Sequence, residues 1–201
     1  MILLVGLGNP GKGYAQNRHN YGFMAADEII RRYSFSAEKI RFQGLVSEGR
    51  LGTEKVLILK PTTYMNESGR AVREASSFYK IPPEDIIVLH DELDLPLGKM
   101  RVKIGGGHGG NNGLRSIEAH MGKNFKRVRL GIGHPGDKNL VASYVLKDFS
   151  KSEQTVANTM IDSVAKHIEL LADGDDAGFM NKVALDTAPA KPKKPAKADD
   201  K

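Results

Sequence analysis

A histidine flanked by an arginine and an asparagine, Arg18-His19-Asn20, and an acidic cluster, His90-Asp91-Glu92 with Asp94, carry the groups best suited to moving a proton near neutrality. Imidazole titrates close to pH 7, and a carboxylate beside it fixes one tautomer and stabilises the protonated form, which together make a general base. Each also has an ordinary reading. A lone histidine before a helix is commonly a surface or capping residue, and HDELD alone is a solvated acidic turn. A metal site drawn from His90, Asp91, Glu92 and Asp94 is a further alternative, although the run lacks HExxH or paired Cys/His spacing.

Carboxamides, which donate and accept hydrogen bonds without adding charge, sit in three separate loops: Asn9 in GLGNPG, Asn66 in KPTTYMNESG and Asn112 in GGGHGGNNG. By position alone, Asn66 reads as a helix N-cap, and Asn112 lies near the N-cap of the next predicted helix. GLGNPG contains the dinucleotide fingerprint GxGxxG, but Pro10 and Gly13 interrupt any immediate helix. Asp27 and Glu28 fall inside a helical pattern instead of ending a second strand, so the departures argue against a dinucleotide. The run from Gly105 to Gly113 holds six glycines in nine residues and lacks the Lys-Ser/Thr ending of a phosphate loop. It is either a flexible loop or one whose backbone approaches a bulky ligand, with Asn111 and Asn112 at the mouth.

The elements that must position these groups alternate. Met1–Leu7, Lys55–Leu59 and Asp85–Leu89 are short apolar runs of buried-strand type. Between them Phe23, Ala26, Ile30 and Tyr33, then Val72, Ala75 or Ser76, and Tyr79, recur at helical spacing. In open α/β sheets ligands bind at the carboxyl ends of strands, where HDELD falls. Lys99, Arg101 and Lys103 alternate with Met100, Val102 and Ile104, and Arg127 and Arg129 with Val128, Leu130 and Ile132. Two strands are therefore expected to present basic faces opposite apolar ones. Gly113–Met121 fits a short helix and Ser152–Leu171 a long amphipathic one, followed by a shorter apolar stretch through Phe179 and Val183.

The 201 residues suit one domain, with 40% hydrophobic and 27% charged residues as in ordinary globular proteins. No run is long and apolar enough to span a bilayer, and the opening MILLVGLGNPG has no basic n-region, so a buried strand is expected there and not a signal peptide. The absence of cysteine removes disulfides, thiolate metal sites and thiol nucleophiles, and fits a reducing, cytoplasmic setting. Of the net charge of +6, the segment 187–201, with five lysines and two aspartates, supplies +3. The remaining +3 makes a nucleic-acid argument depend on where the charges lie. Residues 187–201, rich in Ala, Pro and Lys without apolar periodicity, are expected to be a disordered tail behind a domain of residues 1–186.

GLGNPG with Tyr14 and RHN, KPTTYMNESG, HDELDLPLGKMRVKIGGGHGGNNGLRSI and FKRVRLGIGHPGDK, in that order, make the chain resemble bacterial peptidyl-tRNA hydrolases over most of residues 1–186. The resemblance implies a single α/β domain with a twisted, mixed and largely parallel sheet and helices on both faces. It implies a monomer that uses no metal or organic cofactor and hydrolyses the ester between peptide and terminal ribose, recycling tRNA from aborted translation. Carried over by position, His19 is the base, Asp91 its carboxylate partner, and Asn9, Asn66 and Asn112 the site asparagines. Tyr14 is the substrate-site tyrosine, and Tyr64 and Met65 wall the peptide's last side chain. Lys103 and Arg129 match positions used for tRNA phosphate, and Lys138 extends that patch toward the acceptor end. The chain departs from the family's usual GGHNG in having Asn111, which hydrogen-bonds but cannot titrate near neutrality. Asn17 likewise replaces the commoner threonine before RHN. Two rivals remain open at this level: a tRNA-binding module without catalysis, and a metal-dependent hydrolase using the HDELD cluster.

Overall fold

The first strand, β1 (Ile2–Gly6), is buried at every position, as its unbroken apolar sequence requires of a strand covered on both sides. The computed structural model describes residues 1–192. After β1 come α1 (Tyr21–Arg32), β2 (Lys39–Arg41), β3 (Gly44–Leu51), β4 (Glu54–Pro61), α2 (Ser68–Tyr79) and β5 (Ile86–Glu92). They are followed by β6 (Met100–Ile104), α3 (Asn112–Met121), β7 (Lys126–Gly131), α4 (Val141–Val145), α5 (Lys151–Ala172) and α6 (Asp176–Asp186).

The strands form one seven-stranded sheet in the order β2-β3-β4-β1-β5-β7-β6. The four central strands β4, β1, β5 and β7 run parallel, while β3 and β6 pair antiparallel with their neighbours. On one face α1, α5 and α6 pack through Ile29, Val164, Ile168 and Phe179 onto Leu4, Val56, Leu89 and Val128. On the other, α2 and α3 bring Val72, Ala75, Leu114 and Ile117 onto Leu3, Val5, Leu57 and Val88. The result is the single α/β domain, with helices on both faces, that the alternating pattern implied.

Three features were not expected from the sequence. The hairpin strand β2 is very short, and the apolar pattern of the continuous strand β3 is broken by Ser47, Glu48 and Gly49, which hides its period. The turn between them, Phe42-Gln43, takes positive φ at both residues (53° and 56°) without the Asn-Gly pair that signals such a turn. The short helix α4 follows HPGDKN in a stretch where no helix was expected. The basic faces of β6 and β7 also need correction. Lys103 and Arg101 are exposed, but Arg127 is buried, and on β6 the apolar Ile104 is 61% exposed because that strand lies at the sheet edge. The domain's last helix ends at Asp186, and residues 187–192 form neither helix nor strand. The rest of the expected disordered tail, residues 193–201, lies outside the described residues.

One contact sets where α1 begins. A Cβ on Gly22 would stand 2.2 Å from the Leu89 carbonyl oxygen and 2.6 Å from the Leu7 backbone nitrogen, so only glycine lets the start of α1 press onto β1 and β5. Gly22→Ala should cost about 1–3 kcal/mol of stability through overpacking. Urea denaturation checks this, and a variant as stable as the parent would contradict the contact.

Candidate active site

Because β4, β1, β5 and β7 are parallel, the segments leaving their carboxyl ends gather along one edge of the sheet. That edge receives Asn9 after β1, Tyr64–Asn66 after β4, Asp91 at the end of β5 and His134 after β7. His19 arrives from a 3-10 turn, Arg18–Asn20, immediately ahead of α1.

His19 and Asp91 meet across the sheet edge. The Nδ1–H of His19 donates to Asp91 Oδ2 at 2.8 Å, with side-chain exposures of 11% and 2%. A carboxylate only accepts, so this bond places the proton on Nδ1 and leaves the Nε2 lone pair free in the neutral ring. Burial alone would push the imidazole pKa down, but the charge of Asp91 and its hydrogen bond together outweigh burial and raise it above the usual histidine value. The second oxygen of Asp91 accepts from Asn111 Nδ2 at 3.2 Å.

Asn111 is also the N-cap of α3, its Oδ1 accepting from the Leu114 amide at 3.1 Å. The cap expected near Asn112 thus belongs to its neighbour, and both ends of the Asn111 carboxamide are engaged within the protein. Asn112, the first residue of α3, is exposed. Asn66 does not cap α2 either. It lies exposed within a 3-10 turn, Met65–Glu67, that precedes the helix and has no side-chain cap.

Asn9 is buried, and its backbone is clamped by Asn20. The Asn9 amide donates to Asn20 Oδ1 and Asn20 Nδ2 donates to the Asn9 carbonyl, both at 2.9 Å. The Met65 backbone N–H donates to Asn9 Oδ1 at 2.8 Å, which fixes the carboxamide and leaves Asn9 Nδ2 as the free donor. The same bond ties the β1 loop to the Tyr64–Asn66 segment, where Tyr14 and Tyr64 stand edge to face with ring centroids 6.4 Å apart.

A recess of about 400 Å³ holds His19, Asp91, Asn111, Asn112 and Lys138, with Val141, Ala142 and Val145 of α4 as its apolar wall. Asn9, Tyr14, Tyr64, Met65 and Asn66 stand outside this lining. A second recess, about 230 Å³, contains Lys103 and Arg129, and it shares Glu92, Asp94 and Gly109 with the first. Arg129 is not a bare cation, since its Nε and Nη2 donate to Glu92 Oε1 at 2.7 and 2.6 Å.

The HDELD cluster does not converge. His90 and Asp91 alternate along β5, and buried His90 turns Nδ1 to the Asp91 carbonyl at 2.8 Å, where burial lowers its pKa and keeps it neutral. Among the described residues no group of three or more His, Asp or Glu side chains is arranged to hold a metal ion.

Sequence reasoning assigned nothing to Asn20, to Arg18 or to α4. Arg18 is buried, donates to the Tyr144 and Lys147 carbonyls at 3.1 and 3.3 Å, and pairs with Glu153 at 2.8 Å. It thereby joins the His19 turn to the recess wall. The only signal available was that Arg18 and Asn20 flank the histidine, which says nothing of what they touch.

The family model described as peptidyl-tRNA hydrolase matches residues 3–194. A peptidyl-tRNA hydrolase of Parvibaculum lavamentivorans is 62% identical over 196 residues, covering 97% of this chain and 96% of the relative. One from Bradyrhizobium diazoefficiens is 62% identical over 185 residues, covering 92% of each. The crystal structure of peptidyl-tRNA hydrolase from Acinetobacter baumannii superposes with a TM-score of 0.87 at 44% identity, covering 91% of this chain and 94% of that one.

Because the Asp91 interactions raise the His19 pKa, the protonated pair stabilises the fold below the unfolded histidine value, near pH 6.5. That contribution is lost as pH rises through the higher folded value. NMR titration should place His19 above 6.5, and Asp91→Asn should drop it below 6.5, since burial is then unopposed. An unchanged titration in the variant would contradict the pairing.

Proposed function

The chain belongs to the peptidyl-tRNA hydrolase family, and from that membership we infer that it is an ester hydrolase acting on peptidyl-tRNA, releasing free peptide and free tRNA. The observation that carries the chemical reading is the buried His19–Asp91 bond at 2.8 Å beside a recess. In this reading residues 1–186 are the catalytic domain, acting as a monomer in the cytoplasm to return tRNA from aborted translation. No described helix is long and apolar enough to cross a membrane.

His19 Nε2 takes a proton from a water molecule as its oxygen attacks the ester carbonyl carbon, while Asp91 stabilises the imidazolium that forms. The carbonyl oxygen becomes an oxyanion, and Asn9 Nδ2, preset by the Met65 amide, donates to it at little reorganisation cost. As the tetrahedral intermediate collapses, the bond to the ribose oxygen breaks and that oxygen takes the proton from His19 Nε2. The base is thereby restored, and no cofactor enters these steps. Asn66 and Asn112 are amide contacts to substrate, whereas the geometry of Asn111 supports a bracing contact to Asp91. Tyr14, Tyr64 and Met65 flank the peptide.

Lys103, Arg129 and Lys138 hold tRNA phosphate, which positions an acceptor end without reading bases. Glu92 offsets part of the Arg129 charge and orients its guanidinium, so Arg129→Ala removes a cation and also leaves Glu92 as an unpaired anion.

His19→Ala should lower kcat by about 10²–10⁴-fold while tRNA affinity is retained, as expected when a general base is lost. Equal loss of binding and turnover in a folded variant would contradict that role. Lys103→Ala and Arg129→Ala should chiefly raise KM, each flattening the log–log salt dependence by about one unit. An unchanged slope in the double variant would move the tRNA path elsewhere.

A further inference from the structure

Arg127 is 1% exposed and among the largest fully buried side chains of the protein, although strand alternation places it on the face that carries Lys103 and Arg129. A guanidinium removed from water is costly unless its N–H groups find acceptors and its charge a counterion. Glu118 of α3 supplies the counterion at 3.0 Å from Nη1, and the guanidinium lies over the Phe125 ring at 4.3 Å. Its other partners are backbone oxygens: Nη1 donates to Gly107 O at 3.1 Å and Nη2 to Gly106 O at 3.0 Å.

These two carbonyls are the middle of the glycine-rich loop between β6 and α3. Gly105, Gly106, Gly109 and Gly110 all have positive φ, and such a loop has almost no side chains with which to pack. Its position must therefore be imposed by hydrogen bonds. Gly105 N–H is held by the Phe125 carbonyl at the start of the loop, and Asn111 is held by Asp91 at its end. The forked Arg127 contact fixes the part in between.

That part is a partition. Gly109 and Gly110 line the recess of His19, while Gly107, His108 and Gly109 line the recess of Lys103 and Arg129. We propose that Arg127, held by Glu118, is a positioning residue that fixes the glycine-rich partition between the two recesses, coupling tRNA anchoring to ester cleavage. The proposal rests on the reading of the two recesses given above. Arg127 also borders the Lys103 recess, but it is 1% exposed and its Nη groups are committed to Glu118 and the two loop carbonyls. It sets where the wall stands, and with it the spacing between the anchored phosphate and the reacting carbonyl.

The test compares two substrates in the full chain. One is an intact N-acyl-aminoacyl-tRNA. The other is the same N-acyl-aminoacyl ester on a short 3′-terminal oligonucleotide, which lacks the rest of the tRNA and its phosphates. The variants are Arg127→Lys, whose single ammonium cannot reproduce the fork, and the double variant Arg127→Met/Glu118→Leu. The double variant removes both buried charges together and so avoids stranding one of them; thermal unfolding verifies that each is folded. The proposal expects the wild type's kcat/KM advantage for intact tRNA over the short ester to shrink about tenfold, because a misplaced anchor no longer delivers the ester in register. Loss of both activities by one common factor, with the advantage unchanged, would overturn it and leave Arg127 a merely structural residue. A wild type that turns over neither substrate would instead overturn the hydrolase reading on which the proposal stands.

Discussion

The hydrogen bond from His19 Nδ1 to Asp91 Oδ2 joins two segments that have nothing local in common, a 3-10 turn ahead of α1 and the last residues of β5. Most of the nearby architecture serves that meeting. Gly22 allows α1 to start hard against the Leu89 carbonyl, which brings the turn beside the end of β5. Arg18 ties the turn to the Tyr144 and Lys147 carbonyls, and Asn20 clamps the Asn9 loop from the other side. Asn111 then occupies the second Asp91 oxygen. A carboxylate held from two directions in a buried setting cannot turn away from the imidazole, and the low local polarity strengthens its hold on the imidazolium.

The central strands and the main helices were legible because each buries one unbroken apolar face, and burial is what periodicity records. β5 illustrates this: Asp85–Leu89 reads as a strand from its apolar run, and the strand spans Ile86–Glu92, extending past that run into the buried polar residues His90, Asp91 and Glu92. β2, β3 and α4 were not legible, because an edge hairpin with Ser and Gly in its middle and a five-residue helix leave no sustained period. The site divides along the same line. His19, Asp91 and the asparagine loops could be nominated from residue type and strand ends, but amide roles depend on hydrogen-bond partners distant in sequence. Asn111 and Asn112 are adjacent and chemically identical, yet one braces Asp91 and caps a helix while the other is exposed.

Charge is where pattern misled most. Arg127 and Arg129 look equivalent on a strand, and both were expected on a solvated basic face. One is closed in by Glu118 and two loop carbonyls, and the other is paired with Glu92. Neither is a bare surface cation: Arg127 is closed off from solvent, and Arg129, which still borders the second recess, meets it with its guanidinium already oriented by Glu92. Buried ion pairs seldom stabilise a fold relative to apolar packing, so the presence of Arg127 beneath a loop of glycines is better accounted for by the loop's need for a fixed position.

The most direct test is the pH dependence of kcat/KM for N-acyl-aminoacyl-tRNA hydrolysis, which reports the essential base of the free enzyme. If neutral His19, paired with Asp91, is that base, activity falls on the acid side through an apparent pKa above 6.5, coincident with the His19 titration itself. A profile that stays flat through that titration would contradict the account.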